Sequence, residues 1–474
     1  MTTTVCTADQ MRRAEEAWFA AHPGVDLMAV AARAVADAAV RILEPARQGH
    51  RGDQRVVVLV GGGNNGGDGL FAAAHLAEWG WDVQFCPVLG HPHEAGKQAA
   101  LAAGAREVGP DVVGTERICL VIDAVLGIGG RPGIPERLAR LGRLLEDAGV
   151  EVLAVDLPSG LSADHGEVTS ALRATHTLTF ASRKWCHLAH PATTWCGEVE
   201  VADIGVEVPQ ADEVWTTADM AAVWPVPGPT SHKYTRGVVG MDTGSEGYPG
   251  AAVMGILGAL RCGPGMVRFA GPEGARPHVV SRMPSVVCGQ GRVQAWVVGS
   301  GWGDHDDNAE RLERRLDDGV PVVIDADALA LLPRDLPQGC LLTPHAGELA
   351  RMVGVERGEV EADPRGHCLA AAQRFGATVL LKRSLQWVAT PQGRVRLALP
   401  GPAWTGQAGS GDVLAGMCGT LVAAGLEADE AALTAASLQA LAASRMPGPY
   451  SPDQMADSLP GLVAGVLEGS LRQG

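Results

Sequence analysis

The chain has 474 residues, of which 46% are hydrophobic and 19% charged, and its formal net charge is −16. This composition is typical of a soluble globular protein, and one core stops growing near about 250–300 residues, so we expect more than one domain. The surplus of Asp and Glu disfavours nucleic acids and membranes as partners, because phosphate backbones and anionic lipids attract clustered Lys and Arg.

The amino terminus and the cysteines bear on the compartment. Residues 1–16 carry charges and lack an apolar stretch with a small-residue cleavage site, so we expect a cytoplasmic protein without a secretory signal. The ten cysteines include no C-x-x-C pair, which is typical of reduced, buried thiols. No apolar stretch approaches the roughly 20 residues that a membrane-spanning helix needs.

A local cluster of Cys and His residues has two interpretations. It consists of Cys186, His187, His190 and Cys196. A zinc site is one interpretation, although adjacent Cys186 and His187 cannot easily both face one tetrahedral ion. The other is a pair of core thiols beside a surface loop, and the sequence leaves open whether Cys186, His190 and Cys196 bind a metal.

The first half of the chain is predicted to form a parallel, doubly wound sheet. Residues 9–45 are rich in Ala, with charges at helical spacing, and predict one or two packing helices. Residues 55–60 form an apolar run typical of a strand buried on both faces, and a glycine string at 61–69 then leads into a predicted helix over 70–79. Further strands are predicted over 82–88, 118–122 and 151–155. This alternation of strands and helices is the pattern of a doubly wound α/β domain.

The pattern lapses between residues 206 and 230, where four prolines and polar residues accumulate. We therefore place a boundary near residue 215, giving domains 1–215 and 216–474. The second domain is again α/β, with a helix over 413–426. Its predicted strands are 295–298, 320–324, 340–342 and 379–381.

Three strand ends in the first domain carry polar residues. They are Asn64-Asn65-Gly66-Gly67-Asp68, the stretch from Asp123 to Gly129, and the stretch from Asp156 to Gly160. An Asp after a strand usually caps a helix, and one glycine turn is weak evidence. Ligands of doubly wound sheets bind beyond the carboxyl ends of the strands, so the three ends together indicate a ligand site. The loop 127–133 adds free N–H groups and Arg131 as a phosphate partner.

Five segments of the first domain resemble the NAD(P)HX epimerase family over nearly all of residues 1–210. They are GGGNNGGDGL, VIDAVLGIGG, VDLPSGLSADHGEV, TLTFASRKW and GEVEVADIG. The resemblance implies a Rossmann-like fold that interconverts the R and S epimers of hydrated NADH and NADPH (NADHX and NADPHX). It also implies a potassium ion bound by Asn65, Asp123 and Ser159, and such oxygen-rich ligation suits a hard cation.

The same resemblance supplies the substrate contacts of this domain. They are Asn64, Asn65, Gly66, Gly67, Asp68, Gly127, Ile128, Gly129, Gly130, Arg131, Pro132, Gly133 and Asp156. We expect Asp156 to be the acid/base group that assists opening and reclosing at the hydrated carbon, since a carboxylate at a strand end can be pre-positioned there.

The second domain carries Gly409-Ser410-Gly411-Asp412 at the start of its predicted helix. An Asp at this position is either an ordinary cap or a base that takes a proton from a hydroxyl while backbone N–H groups hold phosphate oxygens. Neighbouring segments favour the base. They are HKYTRG, GAAVMGILGALRCGPGMVR, GSGWG, IDADAL, LTPHAGELARM, VLLKRS and GQAGSGDVLAG.

These segments resemble the ribokinase-like NAD(P)HX dehydratase domain over residues 219–474, a family that uses ADP or ATP to remove water from the S epimer. Asp412 is then the base, magnesium accompanies the nucleotide, and the remaining contacts divide into two sets. The hydrate contacts are Ala251, Gly301, His345 and Asp412, and the nucleotide contacts are Lys382, Arg383, Ser384, Leu385, Gln386 and Gly411.

Several residues of the second domain keep a second interpretation. His345 alone would be an ordinary surface-loop residue, and Asp325 and Asp327 either touch magnesium or cap the next helix. Lys382-Arg383-Ser384 stands where the family usually has Lys-Gly-Ala, so the chain departs from the family pattern at its nucleotide contacts rather than at the glycine and aspartate string.

The whole chain therefore predicts a fused repair enzyme for NADHX and NADPHX that uses ADP or ATP, forms a homo-oligomer, and binds neither nucleic acid nor membrane. The alternative is a ribokinase-like vitamin-precursor kinase fused to a non-catalytic binding or scaffold domain. The full set Asn65, Asp123, Asp156 and Ser159 favours the enzyme, since a scaffold does not need it.

Overall fold

A computed structural model describes residues 3–44, 55–109 and 118–470. Its contacts divide these residues into two compact units, Thr3–Asp212 and the chain from Glu213 onward. Within the described ranges, no helix combines the length and the apolar character needed to cross a membrane.

The amino-terminal unit alternates strands and helices along most of its length. Its elements are β1 (Thr3–Cys6), α1 (Ala8–Ala21), α2 (Leu27–Leu43), β2 (Arg55–Val60), α3 (Asn64–Glu78), β3 (Asp82–Pro87), α4 (Glu94–Ala102), β4 (Arg106–Glu107), β5 (Ile118–Ala124), α5 (Glu136–Asp147), β6 (Glu151–Val155), β7 (His176–Phe180), β8 (Arg183–Lys184) and β9 (Glu198–Ala202).

Seven of these strands form one sheet in the order β4-β3-β2-β5-β6-β7-β9. Every neighbouring pair is parallel, which confirms the predicted doubly wound α/β class. Asp123 lies level with Leu59 of β2 and Ala154 of β6. The carboxyl ends of β2, β5 and β6 therefore lie side by side at one edge of the sheet.

Helix α3 begins at Asn64, six residues before the predicted start at Leu70, so the glycine string is mostly helix rather than loop. The string was predicted as a loop because glycine is a poor helix former. Close packing explains the glycines: a Cβ on Gly66 would lie 2.1 Å from the carbonyl oxygen of Gly61, and one on Gly69 would lie 2.3 Å from the Cβ of Ala124. Tertiary packing of α3 against the strand ends thus overrides the local propensity.

The carboxy-terminal unit contains more helix. Its elements are β10 (Asp212–Val214), α6 (Thr217–Val223), β11 (Val238–Asp242), α7 (Pro249–Arg261), β12 (Met266–Phe269), α8 (Arg276–Arg282), β13 (Val287–Cys288), β14 (Ala295–Val298), α9 (Asn308–Leu316), β15 (Val322–Ile324), β16 (Leu341–Leu342), α10 (Ala346–Val353), α11 (Arg357–Ala362), α12 (Pro364–Phe375), β17 (Thr378–Leu381), β18 (Trp387–Ala389), β19 (Val395–Leu397), α13 (Ser410–Ala423), α14 (Ala428–Arg445) and α15 (Pro452–Leu467).

The sheet of this unit has the order β13-β12-β11-β14-β15-β16-β17-β18-β19-β10. The strands are parallel from β13 to β17, and β18 is antiparallel to both β17 and β19. The predicted α/β class is therefore confirmed here as well. Helix α13 begins at Ser410 and ends at Ala423, three residues earlier at each end than predicted, so the glycine and aspartate string is its first turn.

Helices α7 and α13 cross at very short range under this sheet. A Cβ on Gly416 would lie 1.8 Å from the carbonyl oxygen of Gly255, and a Cβ on Gly258 would lie 2.2 Å from that of Val413. Only glycine fits at either position, and both helices share a continuous buried apolar core with Ile256, Met417 and Leu421.

Candidate active sites

The first candidate site is a cavity of about 510 Å³ at the carboxyl edge of the amino-terminal sheet. It lies where ligands of doubly wound sheets bind and has the size of a small-molecule site. The predicted substrate contacts that line it are Asn64, Asn65, Asp68, Gly127, Ile128, Gly129, Gly130 and Asp156. The predicted contacts that do not line it are Gly66, Gly67, Arg131, Pro132 and Gly133.

Asp156 is held in an unusual conformation at the end of β6. Its φ is +68°, in the left-handed region that non-glycine residues seldom adopt and that marks functional sites in many proteins. Its carboxylate accepts hydrogen bonds at 3.0 Å from the Thr179 hydroxyl and at 3.2 Å from the N–H of Ile128. The turn therefore aims a carboxylate into the cavity.

Lys184, the last residue of β8, is the partner of Asp156. Its Nζ lies 2.7 Å from Oδ1 of Asp156, and only 1% of the lysine side chain is exposed. Nζ also donates to Thr179 Oγ1 and to the carbonyl of Phe180. Burial raises the pKa of Asp156, but the charge and hydrogen bond of Lys184, the charge of His187 and the Thr179 hydrogen bond together outweigh it, and the net pKa is lowered. Asp156 is ionised at neutral pH.

Lys184 was not among the predicted site residues. The signal was present, since the residue lies in the TLTFASRKW segment that carries the family resemblance. Its contact with Asp156 was not predicted because Lys184 is far in sequence from the other strand ends.

Asp68 is the second carboxyl group of the cavity and has the opposite protonation state. Burial, followed by the charges of Asp156, Glu15 and Asp26, raises its pKa to about 8. At neutral pH it carries a proton and offers a hydrogen-bond donor. Two carboxyl groups with pKa values pushed apart are a mark of acid/base sites.

Asp123 and Ser159 are in direct contact below this cavity. Oγ of Ser159 donates to Oδ1 of Asp123 at 2.6 Å, and the N–H of Ser159 donates to Oδ2 at 2.8 Å. Burial raises the pKa of Asp123 to about 6, against the lowering effect of these hydrogen bonds. Asn65 lies against Gly127, and its Nδ2 is buried without a hydrogen-bond partner in the part of the chain that is described. Asn65, Asp123 and Ser159 all carry side-chain oxygens. Among the described residues, no basic side chain forms a hydrogen bond with the buried Asp123 carboxylate.

The Cys and His cluster is mainly buried. Cys186 and Cys196 are fully buried and His187 is 2% exposed, whereas His190 is exposed. Among the described residues, no group of three His, Cys, Asp or Glu side chains is placed to hold a metal. The structure supports the interpretation as core thiols beside a surface loop.

The second candidate site lies at the start of α13. Gly409 caps the helix with φ +93°, and the carbonyl of Ser410 accepts a hydrogen bond at 2.9 Å from Gln439 of α14. Asp412 follows in the first turn. Burial and the charge of Asp325 raise its pKa to about 7, although Lys382 and a hydrogen bond with Ser300 lower it. A carboxyl group with this pKa is well matched to take a proton near neutral pH.

Lys382 and Asp325 form a buried pair beside Asp412. Nζ of Lys382 lies 2.5 Å from Oδ1 of Asp325, which also accepts from Thr343, while Oδ2 accepts from Ser300. Burial opposes the charge of Lys382, but Asp325, Glu348 and Asp412 together raise its pKa. Asp325 thus orients a lysine and makes no side-chain cap, whereas the exposed Asp327 accepts a hydrogen bond from the N–H of Gly303.

Two cavities lie in this part of the carboxy-terminal unit. One, of about 470 Å³, is lined by His345, Lys382, Arg383, Ser384, Gln386 and Gly411, so most predicted nucleotide contacts share one space with a predicted hydrate contact. The other, of about 740 Å³, includes Gly301, Tyr248 and Glu348. The predicted contacts Leu385, Ala251 and Asp412 line neither cavity, and Ala251 instead packs against Gly301.

His345 is the N-cap of α10. Its Nδ1 accepts hydrogen bonds from the N–H groups of Gly347 at 3.0 Å and Glu348 at 3.2 Å. Because Nδ1 accepts, the ring proton lies on Nε2. His345 therefore caps the start of α10 through Nδ1, and its Nε2–H can be presented at the cavity wall.

The fold and the two sites define a two-unit α/β enzyme. Its first unit has a cavity with two carboxyl groups of opposite protonation state, and its second has a helix start that carries the carboxyl group of Asp412. Family models agree with this division: one described as YjeF-related protein N-terminus matches residues 24–186, and one described as NAD(P)H-hydrate dehydratase matches residues 239–460.

Individual relatives cover both units. The chain is 40% identical over 442 residues to the bifunctional NAD(P)H-hydrate repair enzyme Nnr of Mycobacterium tuberculosis, covering 90% of each chain. It is 31% identical over 453 residues to the Escherichia coli enzyme of that name, covering 90% of this chain and 87% of the other. The ADP/ATP-dependent NAD(P)H-hydrate dehydratase from Bacillus subtilis, co-crystallised with ATP and Mg²⁺, superposes with a TM-score of 0.51 at 26% identity, covering 53% of this chain and 98% of that chain. The chain belongs to the family of bifunctional NAD(P)H-hydrate repair enzymes.

Proposed function

We propose that this protein repairs hydrated NADH and NADPH, with an epimerase domain in residues 1–215 and an ADP- or ATP-dependent dehydratase domain in residues 216–474. The family membership and the presence of a separate acid/base site in each unit support this function. Fusion is useful because hydration gives both epimers, whereas the dehydratase acts on the S epimer alone.

In the epimerase domain, Asp156 is the acid/base group at the hydrated carbon. When hydroxide leaves, the ring nitrogen shares its electron pair with that carbon and becomes positively charged. The ionised Asp156, kept so by Lys184, stabilises this charge and takes a proton from the water that returns. Asp68, which holds a proton at neutral pH, supplies a hydrogen-bond donor in the same cavity.

Asn65, Asp123 and Ser159 would hold a potassium ion in this domain. The fit rests on the fully buried carboxylate of Asp123 and on the side-chain oxygens of Asn65 and Ser159. Among the described residues, the hydrogen-bond partners of Asp123 are the N–H of Val125 and the N–H and hydroxyl of Ser159. When bound, the ion supplies a positive charge next to the loop that follows β5 and helps to order it.

Potassium is expected to stabilise the wild-type chain against thermal unfolding relative to the same concentration of choline, because a cation offsets the buried Asp123 charge. Asp123→Asn should remove most of this difference, while the matched surface change Asp37→Asn should keep it. The measurement is the unfolding midpoint in KCl and in choline chloride. An equal potassium effect in wild type and Asp123→Asn would contradict the site.

In the dehydratase domain, hydroxide must be turned into a better leaving group. Asp412 takes the proton of the hydrate hydroxyl, whose oxygen then attacks the terminal phosphorus of the nucleotide. The bond from that phosphorus to its bridging oxygen breaks, so ADP leaves when ATP is used and AMP leaves when ADP is used. The N–H groups at the start of α13 and the ammonium of Lys382 hold the phosphate oxygens. The ring nitrogen then expels phosphate, and loss of a proton from the neighbouring carbon restores the dihydronicotinamide. Magnesium neutralises the nucleotide phosphates when bound.

The two activities are tested together by adding mixed NADHX epimers to the chain with ATP or with ADP and following absorbance of the reduced nicotinamide. We expect nearly complete recovery, because the R epimer is converted while the S epimer is consumed. If only the fraction of hydrate present as the S epimer is recovered, the epimerase assignment is wrong. If no reduced nicotinamide is recovered with either nucleotide, both the epimerase and the dehydratase assignments are wrong.

The state of the cysteines supports a cytoplasmic location for this chemistry. All ten are present as thiols rather than disulfides, and eight of them are buried. Free, buried thiols are usual in a reducing compartment.

A further inference from the structure

The 740 Å³ cavity of the carboxy-terminal unit is larger than the predicted hydrate contacts require. Gly301 is the predicted contact that lines it, and the cavity continues away from Gly301 along α10 and α12. Its lining includes the apolar residues Leu331, Leu332, Met352 and Phe375, and the carboxylates of Asp304, Asp327 and Glu348 also line the cavity. A cavity of this size and character suits an extended ligand with a flat ring.

Two arginines face this cavity from the last turns of neighbouring helices. Arg351 lies near the end of α10 and Arg374 near the end of α12. Within residues 3–44, 55–109 and 118–470, neither forms a hydrogen bond or an ion pair, and Arg374 has only its ring contact, 5.3 Å from the centroid of Phe375. Both side chains are exposed at the cavity mouth.

Other arginines of the same unit have structural roles, in which the guanidinium group pairs with a carboxylate. Arg311 and Arg315 are buried against the carboxylate of Asp242, and Arg357 pairs with Glu361 at 2.7 Å. Arg351 and Arg374 lack such carboxylate partners in a chain whose net charge is −16. Two free guanidinium groups at one cavity in an acidic protein favour an anionic ligand, and arginine matches phosphate with paired N–H groups.

The positions of the two cavities indicate which ligand each of them binds. The smaller cavity contains the helix start and the Lys382 segment, so it is the place for ADP or ATP. The larger one begins at Gly301, next to Ser300, which contacts Asp412. A hydrate whose hydroxyl lies at Asp412 therefore extends into the larger cavity, and its phosphate-bearing end lies toward α10 and α12.

We propose that Arg351 and Arg374 bind phosphate oxygens of the hydrated dinucleotide and thereby set the affinity of the dehydratase for it. This inference rests on the proposed function. The phosphate belongs either to the pyrophosphate bridge, which NADHX and NADPHX share, or to the 2′-phosphate, which NADPHX alone carries. Tyr248, 62% exposed and next to Gly301 and Gly303, also lines this cavity.

The test is steady-state dehydration of purified S-NADHX and S-NADPHX at saturating ATP by the full chain and by Arg351→Gln, Arg374→Gln and the double variant. We expect the KM for the hydrate to rise at least about tenfold for each arginine, as loss of a charge-assisted hydrogen bond implies. The kcat and the KM for ATP should change less than about twofold, because neither arginine lies at the reacting atoms. Arg314→Gln, an exposed arginine on α9 away from both cavities, is the matched control.

The two substrates distinguish the two phosphate sources. An equal rise in KM for both hydrates places the arginines on the pyrophosphate, and a rise confined to S-NADPHX places them on the 2′-phosphate. Unchanged hydrate KM values in the double variant, or a rise in the KM for ATP instead, would overturn the inference while the function stands. A wild-type chain that dehydrated neither hydrate would overturn the function and the inference together.

Discussion

Asp412→Asn is expected to slow dehydration by about 10²–10⁴-fold, the usual contribution of a positioned general base. Asn keeps the shape of the side chain and the start of α13 but cannot take the hydroxyl proton. Exchange between the R and S epimers should continue at the wild-type rate, because the epimerase cavity lies in the other unit. The measurement is NADH recovery from mixed epimers together with chromatographic separation of the epimers that remain.

The wild-type pH profile provides a second measure of the same role. The pKa of Asp412 is raised to about 7, so the base form is lost as the pH falls through that value, and the dehydration rate should fall with it. Above about pH 8 the rate should be level. Asp335→Asn, an exposed carboxylate in the same unit, should leave the profile unchanged. Persistent dehydration in Asp412→Asn would show that another group takes the proton.

Lys184→Met is expected to destabilise the amino-terminal unit by about 3–5 kcal/mol, because it leaves Asp156 as a buried charge without its cation. Epimer exchange should also fall at least about 100-fold, since the carboxylate of Asp156 then lacks the cation that holds it in position and lowers its pKa. Hydrogen exchange of peptides from β6 and β7 reports the stability of this unit within the full chain.

A double variant separates the two effects of Lys184. Asp156→Asn combined with Lys184→Met removes both charges, so most of the lost stability should return while epimer exchange stays low. Asn is the suitable partner because it tolerates the positive φ of residue 156. Lys97→Met removes a partly exposed pair with Glu107 and should cost less than about 1 kcal/mol. Equal losses for Lys184→Met and Lys97→Met would refute the buried-pair argument.

The strands and their polar ends could be predicted from sequence because both signals are local. The run at 55–60 matches β2, and Asp123, Asp156 and Asp412 are adjacent in sequence to the elements that position them. The helix over Asn64–Glu78 was placed too late because its first turn is rich in glycine, and the reason for those glycines is contact with Gly61 and Ala124, which lie outside the helix.

The partners of the acid/base residues could not be predicted in this way. Lys184 meets Asp156 through a turn after β7, and Asp325 meets Lys382 across three neighbouring strands. Such contacts depend on sheet order and register, which the hydrophobic pattern does not specify. The pKa values of Asp68 and Asp412 depend on the same contacts, so their shifts followed only from the folded structure.

The glycine contacts between α7 and α13 limit how the dehydratase can move. With Gly416 and Gly258 each seated against the backbone of the other helix, α13 has no room to slide or rotate without a steric clash. The base at its first turn is therefore stationary, and a ligand must come to it. Any closure around nucleotide and hydrate would then have to come from other segments that line the two cavities, while the carboxyl group of Asp412 stays in place.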